Sequence, residues 1–229
     1  ALAAKDLLSE ARAKEIAPPM VLLGLTLIFL FTFAVPPGSG RAPVPEPIAG
    51  AVGVREISAA LLWASLLFAG ILGFGRSAAA EREGSHTEAL LLAPVDPAAL
   101  FAGKALANFV YLSVVEAALL PASVLFFDLA SGAVAPVLLL VALPANIGLA
   151  AAGTLFGAIS QYARARELVL GLLTFPVVLP IVLAATQLTG SLLTRGTFSG
   201  EGRWFILMGA FDLAIPAIGA VTYEYVLRE

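Results

Sequence analysis

The run LVLGLLTFPVVLPIVLAATQL, from Leu168 to Leu188, is 21 residues long and carries no charged side chain. As a helix rising about 1.5 Å per residue it would cover about 30 Å, the thickness of a bilayer's hydrocarbon core. Its apolar residues do not alternate with polar ones as a barrel strand requires, and only a helix satisfies its own backbone hydrogen bonds in lipid. The stretch therefore reads as a transmembrane helix. Five more runs of the same kind lie outward from it, at Pro18–Val35, Ile57–Phe74, Leu106–Phe127, Pro136–Ile159 and Trp204–Tyr225. The fold class is all-α: a single polytopic membrane domain over residues 1–229 with six spans. Readings as five or seven spans are less economical.

Composition agrees. Of 229 residues, 60% are hydrophobic and 13% charged, against about 45–50% and about 25% in soluble domains. Polar residues are too few to cover a soluble surface, so much of the chain faces lipid. No cysteine is present, which excludes disulfides, CxxC redox pairs and thiolate metal sites. A net charge of −3 without a basic cluster argues against nucleic acid as a partner.

The basic residues set an expected orientation, because Lys and Arg near span ends stay on the cytoplasmic side. With the N-terminus inside, Lys5, Arg12, Lys14, Arg76, Arg82, Lys104, Arg164, Arg166 and Arg228 fall inside, and Arg41, Arg55, Arg195 and Arg203 outside. Both termini are expected to be cytoplasmic. Residues 1–17 form a charged leader without a signal-cleavage pattern, in which Lys5–Ile16 predicts an amphipathic interfacial helix. Between the first two spans, Pro36-Pro37-Gly38 and Pro43, Pro45 and Pro47 predict an extended connection. No internal repeat of the kind that builds inverted-repeat transporters is visible.

Chemistry concentrates between Arg76 and Lys104. Ser85 and Glu88 are spaced as a capping box, opening a short helix with Leu90, Leu91 and Leu92 that Pro94 ends. Asp96-Pro97 predicts a second short helix, with Asp as N-cap and Pro at its first position, leading through Gly103-Lys104 into the third span. Two short capped helices with exposed leucines suit docking into a groove on another protein, or lie flat on the membrane; spacing alone leaves both open. Within the spans, Glu116 and Asp212 have no obvious basic partner in lipid, where an ionisable group costs about 2.5–3.5 kcal/mol on insertion scales. Asn108, Tyr111, Asn146 and Gln187 are candidate hydrogen-bond partners. Glu116 reads either as a residue at a subunit interface or path, or as a tie between helices. Gly148, Ala152, Gly153 and Gly157 allow close helix contact, and Trp204, Tyr223 and Tyr225 are placed as interfacial anchors.

The run Arg82-Glu83-Gly84, Thr87-Glu88-Ala89-Leu90-Leu91-Leu92-Ala93-Pro94-Val95-Asp96 and Gly103-Lys104-Ala105-Leu106-Ala107-Asn108 resembles the cytoplasmic loop of the CcmB family, the haem exporter permease of cytochrome c maturation. Glu116 and Pro121 fit that pattern too. The resemblance implies an ABC exporter permease in the bacterial inner membrane, acting as a homodimer with an ATP-hydrolysing subunit and other haem-handling membrane proteins. By the same resemblance, Arg82, Glu83, Glu88, Leu90, Leu91, Pro94 and Asp96 would form the segment on which the ATPase docks.

The residues agree with that division of labour. No GxxxxGK[ST] phosphate loop occurs, since Gly103-Lys104 is followed by Ala105. ATP is thus expected to act only through the partner, the chain itself is not expected to be an enzyme, and docking is favoured over a merely membrane-lying loop. Haem iron takes His, Met, Cys or Tyr ligands. The chain offers one histidine, His86, on the inner loop, and near the membrane only Met20 and Met208, which read as apolar packing, and a few tyrosines, so no stably bound haem or metal is expected. The rival readings are a permease for a lipid, polysaccharide or drug, and a non-transporting assembly scaffold.

Overall fold

In a computed structural model the described residues are 15–33, 54–83, 96–127 and 135–228. They form six helices: α1 (Ala17–Thr32), α2 (Val54–Glu83), α3 (Pro97–Phe127), α4 (Ala135–Ser160), α5 (Arg166–Arg195) and α6 (Gly202–Arg228). Five are long and apolar enough to cross a membrane, and α1 is a shorter apolar helix of 16 residues. The chain is a multi-pass membrane protein. The leader before Glu15, the proline-rich connection, the Asp128-to-Val134 turn, and the inner-loop residues Ser85, His86, Glu88, Leu90, Leu91 and Pro94 lie outside the described residues.

Local sequence explains the ends. Asp96 is the N-cap of α3, its Oδ1 accepting from the Ala98 amide at 3.0 Å, with Pro97 at the first helical position. The separate short helix expected after Asp96 is instead the first part of α3. Nothing between Pro97 and Leu106 breaks the helix, since Gly103 alone costs only about 1 kcal/mol against alanine. Likewise α5 ends at Gly196, whose φ of 71° lets its N–H reach the Leu192 carbonyl at 2.9 Å. Pro121, Pro144, Pro176, Pro180 and Pro216 sit inside helices, tolerated in lipid because neighbouring helices satisfy the freed backbone groups.

Helix α4 is the centre of the bundle, packed on α2, α3, α5 and α6, whereas α1 packs mainly on α2 and α3. Small residues bring the backbones together. The Phe74 ring of α2 lies on Gly153, where an added Cβ would stand 2.2 Å from it, and Met20 of α1 fills the space over Gly73 in the same way. Large apolar side chains such as Leu22, Leu125, Leu168, Leu172, Ile206 and Leu213 point outward, as a lipid-facing surface requires. Along α2 and α5 the pairs Arg55–Leu193, Trp63–Thr189 and Phe68–Phe175 fix an antiparallel register.

Candidate functional site

Two interhelical hydrogen bonds tie α3 to α4. Asn108 Nδ2 donates to Thr154 Oγ1 at 2.8 Å, and Asn146 Nδ2 donates to Glu116 Oε2 at 2.7 Å. Eight residues separate Asn108 from Glu116 along α3, and eight separate Thr154 from Asn146 back along α4, so one antiparallel register makes both bonds. All four residues are buried. Glu116 is therefore turned into the bundle and held by α4 through Asn146, one of the candidate hydrogen-bond partners read from sequence.

Asp212 sits at nearly the same level on the other side of α4. Its Oδ1 is buried without a hydrogen-bond partner, and a Cβ on Gly148 would come within 2.6 Å of it. Asn146 and Gly148 are two residues apart but face different neighbours, so α4 keeps the two acids from meeting. The close approach of α6 to Gly148 is what admits the carboxyl, and Ile181 of α5 packs on the same glycine. Asp212 thus turns its carboxyl towards Gly148 of α4.

Towards the other end of the same helices a cleft opens among α2, α3, α4 and α6, lined by Ser77, Lys104, Asn108, Thr154, Gln161 and Tyr223 among others. The Lys104 ammonium lies 5.8 Å from the Tyr223 ring centre. Tyr223, expected as an interfacial anchor, is instead 1% exposed and packed against the tilted ring of Phe101, because Gly219 one turn earlier lets Phe101 of α3 approach α6. Tyr225 is exposed, and Trp204 is partly buried with Arg203 over its ring. Sequence reasoning named Asn108 but missed its partner Thr154 and the cleft. The signal was present in the eight-residue spacing of polar positions mirrored on the two helices.

The expected docking segment is only partly described: α2 runs through Arg82 and Glu83, and Asp96 caps α3. Met20 and Met208 are buried in the apolar core.

A comparison with curated proteins gives no match. The model of the CcmB protein family, by contrast, matches residues 1–228, all but the last residue of the sequence. Together with the helices long enough to cross a bilayer, this makes the chain a member of the CcmB family, the membrane component of haem export in cytochrome c maturation.

Proposed function

We propose that the chain is the permease subunit of an ABC transporter of the bacterial cytoplasmic membrane. It has six spans with both termini inside, is paired as a homodimer, and couples ATP hydrolysis by a partner subunit to haem delivery or release during c-type cytochrome assembly. The observation that carries this reading, beside the family, is the length of α2 and α3. At 30 and 31 residues each covers about 45 Å, well beyond the roughly 30 Å of a hydrocarbon core. Both run on at the ends that flank residues 84–95, so the segment between Arg82 and Asp96 is carried on two rigid helices that continue into the membrane.

Force applied there passes directly into the bundle. Near this end α2 is seated on α4 through Phe74 and Gly153, and α3 through Asn108 and Thr154. An ATPase gripping Glu88, Leu90, Leu91 and Pro94 would move α2 and α3 against α4 when its subunits close. The haem iron stays with other maturation proteins, and this subunit supplies motion.

The test is purification of the complex from native membranes with the wild-type chain and with Leu91→Asp. The wild type brings down an ATPase subunit and haem-handling membrane proteins. The charged variant, at equal abundance, weakens ATPase association at least about tenfold, equivalent to about 1.4 kcal/mol of lost contact, and stops cytochrome c assembly. Undiminished association and ATPase activity in the variant would overturn docking at this segment. Normal cytochrome assembly with a catalytically dead ATPase would make the chain a scaffold, and normal cytochromes on its deletion would mean another exported substrate.

A further inference from the structure

The cleft among α2, α3, α4 and α6 is lined by a polar atom that no described protein group satisfies. Asn108 is 3% exposed, its Nδ2 donates to Thr154, and its Oδ1 accepts from nothing. Thr154 cannot serve it, because that hydroxyl gives its one proton to the Ala150 carbonyl at 2.7 Å. Turning the amide over would exchange a bare acceptor for a bare donor, so one polar group of Asn108 is unmet in either orientation. Leaving it so costs about 1–3 kcal/mol. The cleft measures about 230 Å³ with its open mouth, but the part that can hold the centre of a water molecule is only about 10 Å³, room for about one water.

The occupant that fits is small, neutral and a hydrogen-bond donor. A cation is disfavoured by the ammonium of Lys104, which lines the same cleft. No anion is called for either, since Lys104 is engaged at the Tyr223 ring, 5.8 Å from its centre. Ser77 of α2 is partly exposed and lines the cleft as well, and a serine hydroxyl can both give and accept a hydrogen bond. We propose that the cleft binds one ordered water molecule, which donates to Asn108 Oδ1 on α3 and is shared with the Ser77 hydroxyl on α2. A bridging water is enthalpically nearly as good as a direct hydrogen bond, and Asn108 and Ser77 supply the two polar partners that holding it requires. Helix α3 is thus tied to α4 directly, through Asn108 and Thr154, and to α2 through a solvent molecule that can leave and return. The inference stands on the cleft alone and does not depend on the transport reading.

The sequence contains two asparagines, Asn108 and Asn146, both buried, which gives the test its own reference. Isotope labelling of asparagine alone, in the full-length chain in liposomes, yields one side-chain amide signal from each, and Asn146→Gln assigns them. Magic-angle-spinning NMR then measures how fast polarisation passes from water to each amide. Build-up at Asn108 should be severalfold faster than at Asn146, and equal rates would overturn the proposal. Ser77→Val removes one of the water's hydrogen bonds, which weakens its binding about fivefold, and should bring the Asn108 build-up down towards that of Asn146. Unaltered build-up in that variant would overturn the joint to α2. Lys104→Met should leave the Asn108 build-up as it was; its loss there would make the ammonium, not a water, the donor to Asn108, and would overturn the proposal. The comparison of the two asparagines in the unaltered chain decides for or against the bound water even if Ser77→Val does not fold.

Discussion

Glu116 and Asn146 stabilise the bundle as a pair, and each is a liability without the other. Asn146→Leu removes the donor to Glu116 and leaves a carboxyl in apolar surroundings, a loss expected to cost about 1–3 kcal/mol. Glu116→Gln keeps an acceptor for Asn146 and should cost much less. Replacing both by leucine restores part of the loss. A thermal-unfolding cycle over the two single variants and the double variant in detergent should give a coupling of about 0.6–1.7 kcal/mol, the range for hydrogen bonds between membrane helices. A coupling of zero would show that the bond does not form in the folded protein. Asp212 is the contrasting case, since its Oδ1 has no partner to lose. Asp212→Asn should therefore leave the unfolding temperature almost unchanged, and a fall in cytochrome c assembly at unchanged stability would assign the acid a working role.

At the level of helices, the packing of α2 on α4 depends on a flat ring meeting a glycine. Gly153→Leu drives a side chain into Phe74 and should destabilise by about 1–3 kcal/mol, as overpacked cores do. Phe74→Ala should recover much of this when combined with it, because it vacates the volume that the leucine needs; failure of that rescue would place the strain elsewhere. Helix positions were legible in the sequence because continuous apolar runs have few structural alternatives in lipid. The small residues of the fourth span were legible for the same reason. Helix lengths were not, since Arg76 and Lys104 mark where charge begins and a helix passes such points without breaking. The site was half legible. Polar residues inside apolar runs are conspicuous, so Asn108, Glu116 and Asp212 stood out, but their partners depend on the register between helices, which no local pattern states. Tyr223 was misplaced for that reason, its burial being set by Phe101 and Gly219 on two different helices.

For the whole molecule, the absence of cysteine makes single introduced thiols unambiguous reporters. With the proposed orientation, Ser199→Cys in the turn between α5 and α6 should react with a membrane-impermeant maleimide in intact spheroplasts. Ala163→Cys, between α4 and α5, should react only after permeabilisation. The opposite pattern would invert the topology and place the segment between α2 and α3 out of reach of any cytoplasmic ATPase.

The central place of α4 also orders events in time. Asn108 and Glu116 leave the ribosome 46 and 30 residues ahead of the partners that satisfy them. At about 5–20 residues per second, Glu116 waits roughly 2–6 seconds for Asn146. During that interval α3 has an unsatisfied carboxyl and an unsatisfied amide, and must be sheltered by the insertion machinery or kept from full contact with lipid. A chain arrested after α3 would therefore be a substrate for membrane proteases, whereas one arrested after α4 would already contain the paired helices around which the later ones assemble.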